Sequence, residues 1–258
     1  MAAEKSRAIV IRSVAFGETS AVVTLYCREF GKVRALAKGA WRPKSGFDGG
    51  LDLLSTAEVL LLRRSSGGLD LLTEACLESR FRVGTSLPAL VGGMHVAELL
   101  DRLSADADPQ PELFDATHAT LRRLSGTDAA EARVAAVVVH AELALLALTG
   151  HGVAVDECAS CGGPLPAAVR TAFGMLDGGG LCGRCRRGRR AVVSVSAGAM
   201  DALRRLSRPL VAAAELGPDL GGEVRAIMNA YLTHVLERPP GAGRWLPHQQ
   251  PPRRRRSG

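Results

Sequence analysis

Two Cys-x-x-Cys pairs, Cys158-Ala-Ser-Cys161 and Cys182-Gly-Arg-Cys185, stand twenty residues apart. Each pair can turn both sulfurs toward one ion, and two such pairs at this separation match a structural zinc site. Four thiolates close a tetrahedral shell and leave no position for water, so such a site ties the chain together and performs no chemistry. Two disulfides or two separate redox pairs are the competing readings. Gly162 and Gly183 stand where the turns are expected to need a positive φ.

If the cysteines are structural, function has to be sought elsewhere. The 258 residues, 47% of them apolar, are enough for a large core and exclude global disorder. The net charge of +7 favours an anionic partner. Arginine outnumbers lysine 29 to four, yet Lys5, Lys32, Lys38 and Lys44 all fall in the first 44 residues. The two remaining cysteines, Cys27 and Cys76, lie in apolar strand-like contexts and are expected in the core. No basic-then-apolar leader opens the chain and no apolar run reaches membrane length, so a soluble cytoplasmic protein is expected.

Read in order, the chain changes period once. Residues 8–14, 21–27, 32–38, 57–62 and 69–75 read as five short strands. They suggest a small barrel, either OB-like or SH3-like. From Leu87 the apolar residues recur at three and four. Helices are expected over 87–100, 113–124, 129–148, 196–206 and 223–236, with a short hairpin at 174–181. The third helix is apolar nearly all round, which implies burial. Between Glu98 and Glu142 nine acidic residues face four arginines. The boundaries expected are a barrel at 1–80, a helical domain at 81–238 with a zinc module at 156–188, and a disordered basic tail at 239–258 ending in Arg253 to Arg256.

The most basic ordered stretch holds Arg28, Lys32, Arg34, Lys38, Arg42 and Lys44 against Glu29 alone, with Trp41 among them. Basic side chains neutralise phosphates and an exposed indole offers a base a face to stack on. On a small barrel this pattern makes a groove for single-stranded nucleic acid. The competing reading is a solvated basic loop with Trp41 in the core. Catalytic patterns are missing. Gly178-Gly179-Gly180 lacks the context of a phosphate loop or a dinucleotide fingerprint. The histidines are scattered, with His95 and His140 expected to sit satisfied within helices. The run Arg184, Arg186, Arg187, Arg189, Arg190 beside the cysteines reads equally as a phosphate contact or a solvated face.

The segments Gly17-Glu18-Thr19-Ser20, Glu29-Phe30-Gly31-Lys32, Ala37-Lys38-Gly39-Ala40 and Lys44-Ser45, in this order ahead of a helical middle and a four-cysteine site, resemble the RecO family of DNA repair proteins. The resemblance extends to about Leu236. It implies an α+β architecture: an N-terminal OB-fold, then an all-α domain bearing a zinc module. It implies a bacterial, nucleoid-associated recombination mediator, not an enzyme. Such a protein binds single- and double-stranded DNA, anneals complementary strands and partners RecR. With RecR it helps load RecA onto strands coated by single-strand-binding protein. The resemblance would put Lys32, Arg34, Lys38, Arg42 and Lys44 on the DNA surface. The acidic, apolar-ended tail of single-strand-binding protein would dock on the helical part, near Arg122, Arg123, Arg204, Arg205 or Arg225. A zinc-ribbon regulator and a nucleic-acid-modifying enzyme are the alternatives. The basic charge sits in the barrel segment rather than on a recognition helix, which disfavours the first. No acid, histidine or nucleophile cluster supports the second.

Overall fold

The computed structural model describes residues 3–43, 45–47, 49–64, 68–126, 130–209 and 214–246. They form two compact units, Met1–Thr85 with Val96–Thr127, and Ser86–His95 with Asp128–Gly258. The division falls inside one helix, between His95 and Val96.

The first unit is built on five strands, β1 (Ala3–Phe16), β2 (Ser20–Cys27), β3 (Gly31–Ala37), β4 (Thr56–Leu62) and β5 (Asp70–Ser79). They close in the order β1-β2-β3-β5-β4, with β3 and β5 parallel and β1 pairing both β2 and β4. This OB-like closure decides the choice that strand counting left open. Alternation sets the two faces. Val23, Leu25 and Cys27 of β2 and Val33, Ala35 and Ala37 of β3 are buried in the barrel core. The residues between them face out.

Parallel β3–β5 pairing is short, running from Ala35↔Asp70 to Ala37↔Leu72. The segment after β3 completes the closure. Phe47 and Leu51 enter the core, and the Ala75 N–H donates to Gly46 O at 3.1 Å. Gly50 passes so close to β5 that a Cβ there would lie 2.8 Å from the Ala75 carbonyl carbon. A glycine is therefore required.

A register shift between Val10 and Arg12 interrupts β1. Such a bulge redirects the residues beyond it. Arg12, Val14 and Phe16 are exposed as a result. Register also corrects one expectation: Cys27 is buried, but Cys76 is exposed because it pairs with outward Glu58.

Two helical segments pack on this barrel, the C-terminal part of α1 (Leu87–Leu103) and all of α2 (Pro111–Leu124). Arg7 pairs with Glu78 at 2.9 Å and lies 5.4 Å from the centre of the Phe114 ring. Arg28 grips Asp115 through two hydrogen bonds of 3.0 and 2.9 Å.

The second unit contains α3 (Glu131–Leu148), a three-stranded sheet of β6 (Arg170–Gly174), β7 (Gly179–Leu181) and β8 (Val192–Ser196), and helices α4 (Ala197–Leu206) and α5 (Pro218–Val235). The β6–β7 hairpin matches the expected turn. The pairing with β8 was not read from sequence. Helix α5 starts five residues earlier than expected because Pro218 can occupy its first turn, where no N–H partner is needed.

Residues 239–246 correct the expectation of disorder from 239 onward. They include a 3-10 turn at Gly243–Trp245, and buried Leu246 faces Val134, Val138 and Leu216. One apolar side chain with a seat is enough to order a short segment. The rest of that tail, with Arg253 to Arg256, lies outside the described residues.

A fully buried carboxylate holds α3 to two other segments of this unit. Glu142 accepts from His95 Nε2 at 2.6 Å and from Arg225 Nη2 at 2.8 Å. Burial alone would push the Glu142 pKa up, but Arg225 and the His95 hydrogen bond outweigh it and hold the carboxyl below its usual value. The native pKa is therefore below the unfolded one. The carboxylate's contribution is complete above an unfolded pKa of about 4.3 and is lost as pH falls through the lower native value. Glu142→Gln leaves Arg225 buried without a counter-charge and should destabilise this unit by about 3–5 kcal/mol at neutral pH. Urea unfolding checks this; an unchanged midpoint would contradict it.

Candidate metal centre and nucleic-acid face

The sulfurs of Cys158, Cys161, Cys182 and Cys185 all lie within 4.8 Å of one another. Cys161 and Cys182 are 3.9 Å apart at sulfur. A tetrahedron with metal–sulfur bonds of about 2.3 Å has edges of about 3.8 Å, so the cage has the size of a zinc shell. Among the described residues no other group of three or more His, Cys, Asp and Glu comes this close. Disulfide pairing does not describe it, since all six cysteines are free thiols.

Backbone geometry builds the cage. Gly162 N–H donates to Cys158 O at 2.8 Å with Gly162 at φ +67°, which closes the first turn. The second turn is made otherwise: Arg186 N–H returns to Cys182 O, and Gly183 needs no positive φ, contrary to expectation. The Cys182 N–H points at Cys158 Sγ, 3.4 Å away. Burial raises the Cys158 pKa, but the N–H groups of Cys182, Ser160 and Cys161 outweigh it and bring the thiol down toward the thiolate form.

The triple glycine has a packing role here. Ala154 exchanges hydrogen bonds with Gly178 and Gly180, and a Cβ on Gly179 would lie 2.8 Å from Ala154 N. This close approach sets the first cysteine turn beside the second.

The residues expected on the nucleic-acid face of the barrel divide into three groups. Arg34, Lys38, Trp41 and Arg42 are all exposed, Trp41 by 53%. Trp41 is thus outside the core, its backbone N–H donating to Thr19 O at 3.0 Å. Arg28 is half-buried and bound to Asp115. Lys32 turns onto the end of α1: its Nζ donates to Asp101 O at 2.7 Å and Ser104 O at 2.9 Å, with the Asp101 and Asp106 carboxylates at 3.4 and 3.3 Å. Lys44 lies outside the described residues.

Strand pairing brings further residues to the open group. Directly opposed residues in a sheet share a face. Arg12 opposes Thr24, which opposes Arg34, so one row crosses three strands. Beside it Val14, Val22 and Leu36 form an apolar row, and Phe16, 58% exposed, opposes Ser20. Arg34 also borders a cleft of about 570 Å³ shared with Arg63 and Arg64 of the β4–β5 connection. Arg12, Phe16 and Arg64 were absent from the sequence reading. A basic residue followed at even spacing by exposed apolar ones on β1 was the available signal, masked by the bulge.

The arginines expected as anchors for an acidic tail scatter. Arg225 is buried on Glu142, which excludes it from any surface pocket. Arg204 donates to Val155 O, and Arg205 pairs with Asp201. Arg122 and Arg123 are exposed and belong to the other unit. No helix among the described residues is long and apolar enough to cross a membrane.

A closed five-stranded OB-like barrel, followed by helices with a four-cysteine cage, defines the class: an α+β protein with an oligonucleotide-type barrel and four cysteines clustered at metal-binding distance. Family models place it further. The N-terminal model of recombination protein O matches residues 1–81 and the C-terminal model residues 84–243. The chain is 41% identical over 202 residues to DNA repair protein RecO of Rhodopirellula baltica, covering 78% of this chain and 73% of that one. It is 36% identical over 251 residues to the RecO protein of Anaeromyxobacter dehalogenans strain 2CP-C, covering 94% and 95%. With the RecO protein of Frankia casuarinae it shares 32% over 243 residues. The chain belongs to the RecO family of DNA repair and recombination proteins.

The geometry separates two lysines that sequence treats alike. Lys32→Ala removes charge-assisted bonds to a helix C-terminus and should destabilise the first unit by about 2 kcal/mol. Lys38→Ala, exposed, should change stability by less than about 0.5 kcal/mol. Thermal unfolding of the two variants checks this; equal midpoints would contradict it.

Proposed function

We propose that this chain is a recombination mediator that acts by binding, with no catalytic step. In this reading it holds single- and double-stranded DNA and anneals complementary strands. With RecR it helps RecA onto strands coated by single-strand-binding protein, in the nucleoid of a bacterial cytoplasm. The observation that carries the reading is the outward row Arg12–Thr24–Arg34 with Phe16 and Trp41 exposed near it. Arginines there neutralise phosphates while the two rings stack on bases. In OB-folds the β2–β3 face and the loops between strands one and two and four and five take oligonucleotides. Here those parts are the ones that carry Arg34, Arg63 and Arg64.

Zinc completes the reading. Cys158, Cys161, Cys182 and Cys185 would hold one ion in a closed sulfur shell whose part is to fix the two turns. The acidic tail of single-strand-binding protein would dock through Arg122 and Arg123. Both are exposed at the end of α2, where cations also complement the helix C-terminus.

Strand annealing tests the whole reading, using complementary oligonucleotides precoated with single-strand-binding protein and no nucleotide. The wild-type chain should accelerate annealing. Arg34→Ala with Lys38→Ala and Arg42→Ala should abolish most of the acceleration and lower the salt slope of single-strand binding by about two to three units. Unimpaired annealing by this variant would overturn the assignment of the face.

A further inference from the structure

We propose that the four-cysteine module carries a second nucleic-acid surface, and that it grips duplex DNA by its phosphates. The proposal rests on the DNA-binding reading above and adds a site to it.

The surface is the run from Arg184 to Arg190, which follows the third cysteine. Its backbone is wound into consecutive turns: Arg186 N–H donates to Cys182 O, Arg187 N–H to Arg184 O and Arg189 N–H to Arg186 O, with Gly188 at φ +72°. Arg189 clamps the run to the rest of the module. Its guanidinium pairs with Asp177 at 3.0 Å and donates to Ser160 Oγ at 2.8 Å. Arg184, Arg186, Arg187 and Arg190 remain exposed, and none has an ion pair among the described residues. No acidic residue occurs between Gly178 and Met200, so nothing nearby in the chain neutralises them. Four guanidinium groups on a fixed turn present bidentate donors to a polyanion.

Two observations select duplex as the occupant. A single strand is held by stacking as well as charge. The sole aromatic residue between His151 and Met200 is Phe173, which is fully buried. The module therefore offers phosphate contacts and no platform for bases, the reverse of the barrel face with its Phe16 and Trp41. An acidic peptide with an apolar end would need an apolar seat, and Arg184 to Arg190 include no apolar side chain except the cysteine that faces the cage. Backbone contact without base contact suits the regular phosphate array of a duplex.

The test compares a blunt duplex with an oligo-dT strand of the same length, each titrated against the zinc-loaded full chain over a range of salt. Arg184→Ala with Arg186→Ala and Arg187→Ala should lower the duplex salt slope by about three units and duplex affinity at least tenfold. Oligo-dT affinity should change less than about twofold and zinc content should stay near one per chain. Should that variant lose zinc, Arg187→Gln with Arg190→Gln, beyond the last cysteine, carries the same test with a slope lowered by about two. Unchanged duplex binding, or equal losses on duplex and single strand, overturns the proposal. So does intact duplex binding with lost affinity for an acidic peptide, which would make the surface a protein-docking one. Arg34→Ala with Trp41→Ala, run alongside, should do the opposite and lose oligo-dT. If that control fails while the arginine-run variant behaves as expected, the barrel reading falls and the second surface stands.

Discussion

The end of α1 rests on one ammonium group. Lys32 faces outward on β3, where an exposed cation would be ordinary. Instead its ammonium donates to the Asp101 and Ser104 carbonyls at the end of the helix and meets two carboxylates, Asp101 in the last turn and Asp106 just beyond it. A helix C-terminus carries unsatisfied carbonyls and partial negative charge, and a lysine supplies both the donors and the compensating charge. The neighbouring backbone follows: Ala107 N–H bonds to Lys32 O, and Gly31 packs against the Asp108 backbone, too close for any side chain. One half of the β2–β3 face is thereby covered. Tyr26, opposite Lys32, is wholly buried and donates to Gln110 O. The other half stays open, and there Arg12, Arg34 and the exposed rings collect.

The same partition of charge runs through the first unit. Acidic residues of the segment after β5 neutralise Arg28 and Lys32 where the helices pack on the barrel. Arg34, Lys38 and Arg42 have no such partner among the described residues and remain exposed. Aromatic exposure follows the division: Phe16 and Trp41 are on the open side, while Phe114 lies in the covered part. In the second unit the long-range tie is the carboxylate of Glu142, joined to Arg225 across 83 positions of sequence. Cys158, Cys161, Cys182 and Cys185 bring two turns of the same unit together.

Local features were legible in the sequence. The cysteine spacing fixed the cage because each pair needs one turn and the hairpin between them is short. The strands of the barrel showed in their β-branched runs, and α1 and α5 in their periodicity. What sequence hid was set by partners far along the chain. Lys32 resembles its neighbours until a segment about 70 residues away folds over it. Arg225 reads as a surface cation on α5 until Glu142 meets it. Arg12 and Phe16 belong to the open face only because β1 changes register midway, and no composition signals that shift. Cys76 was misjudged for the same reason: its apolar context said core, while its pairing with Glu58 put it outside.

Trp41 offers the most direct reading of the central claim, that the open half of the barrel face holds single strands by stacking and charge. The chain has two tryptophans, Trp41 and Trp245. In a Trp245→Phe background the emission reports on Trp41 alone. Titration with oligo-dT should quench that emission in step with binding followed by anisotropy, and added salt should reverse both together. Full binding by anisotropy with Trp41 emission unchanged would place the strand elsewhere and contradict the account.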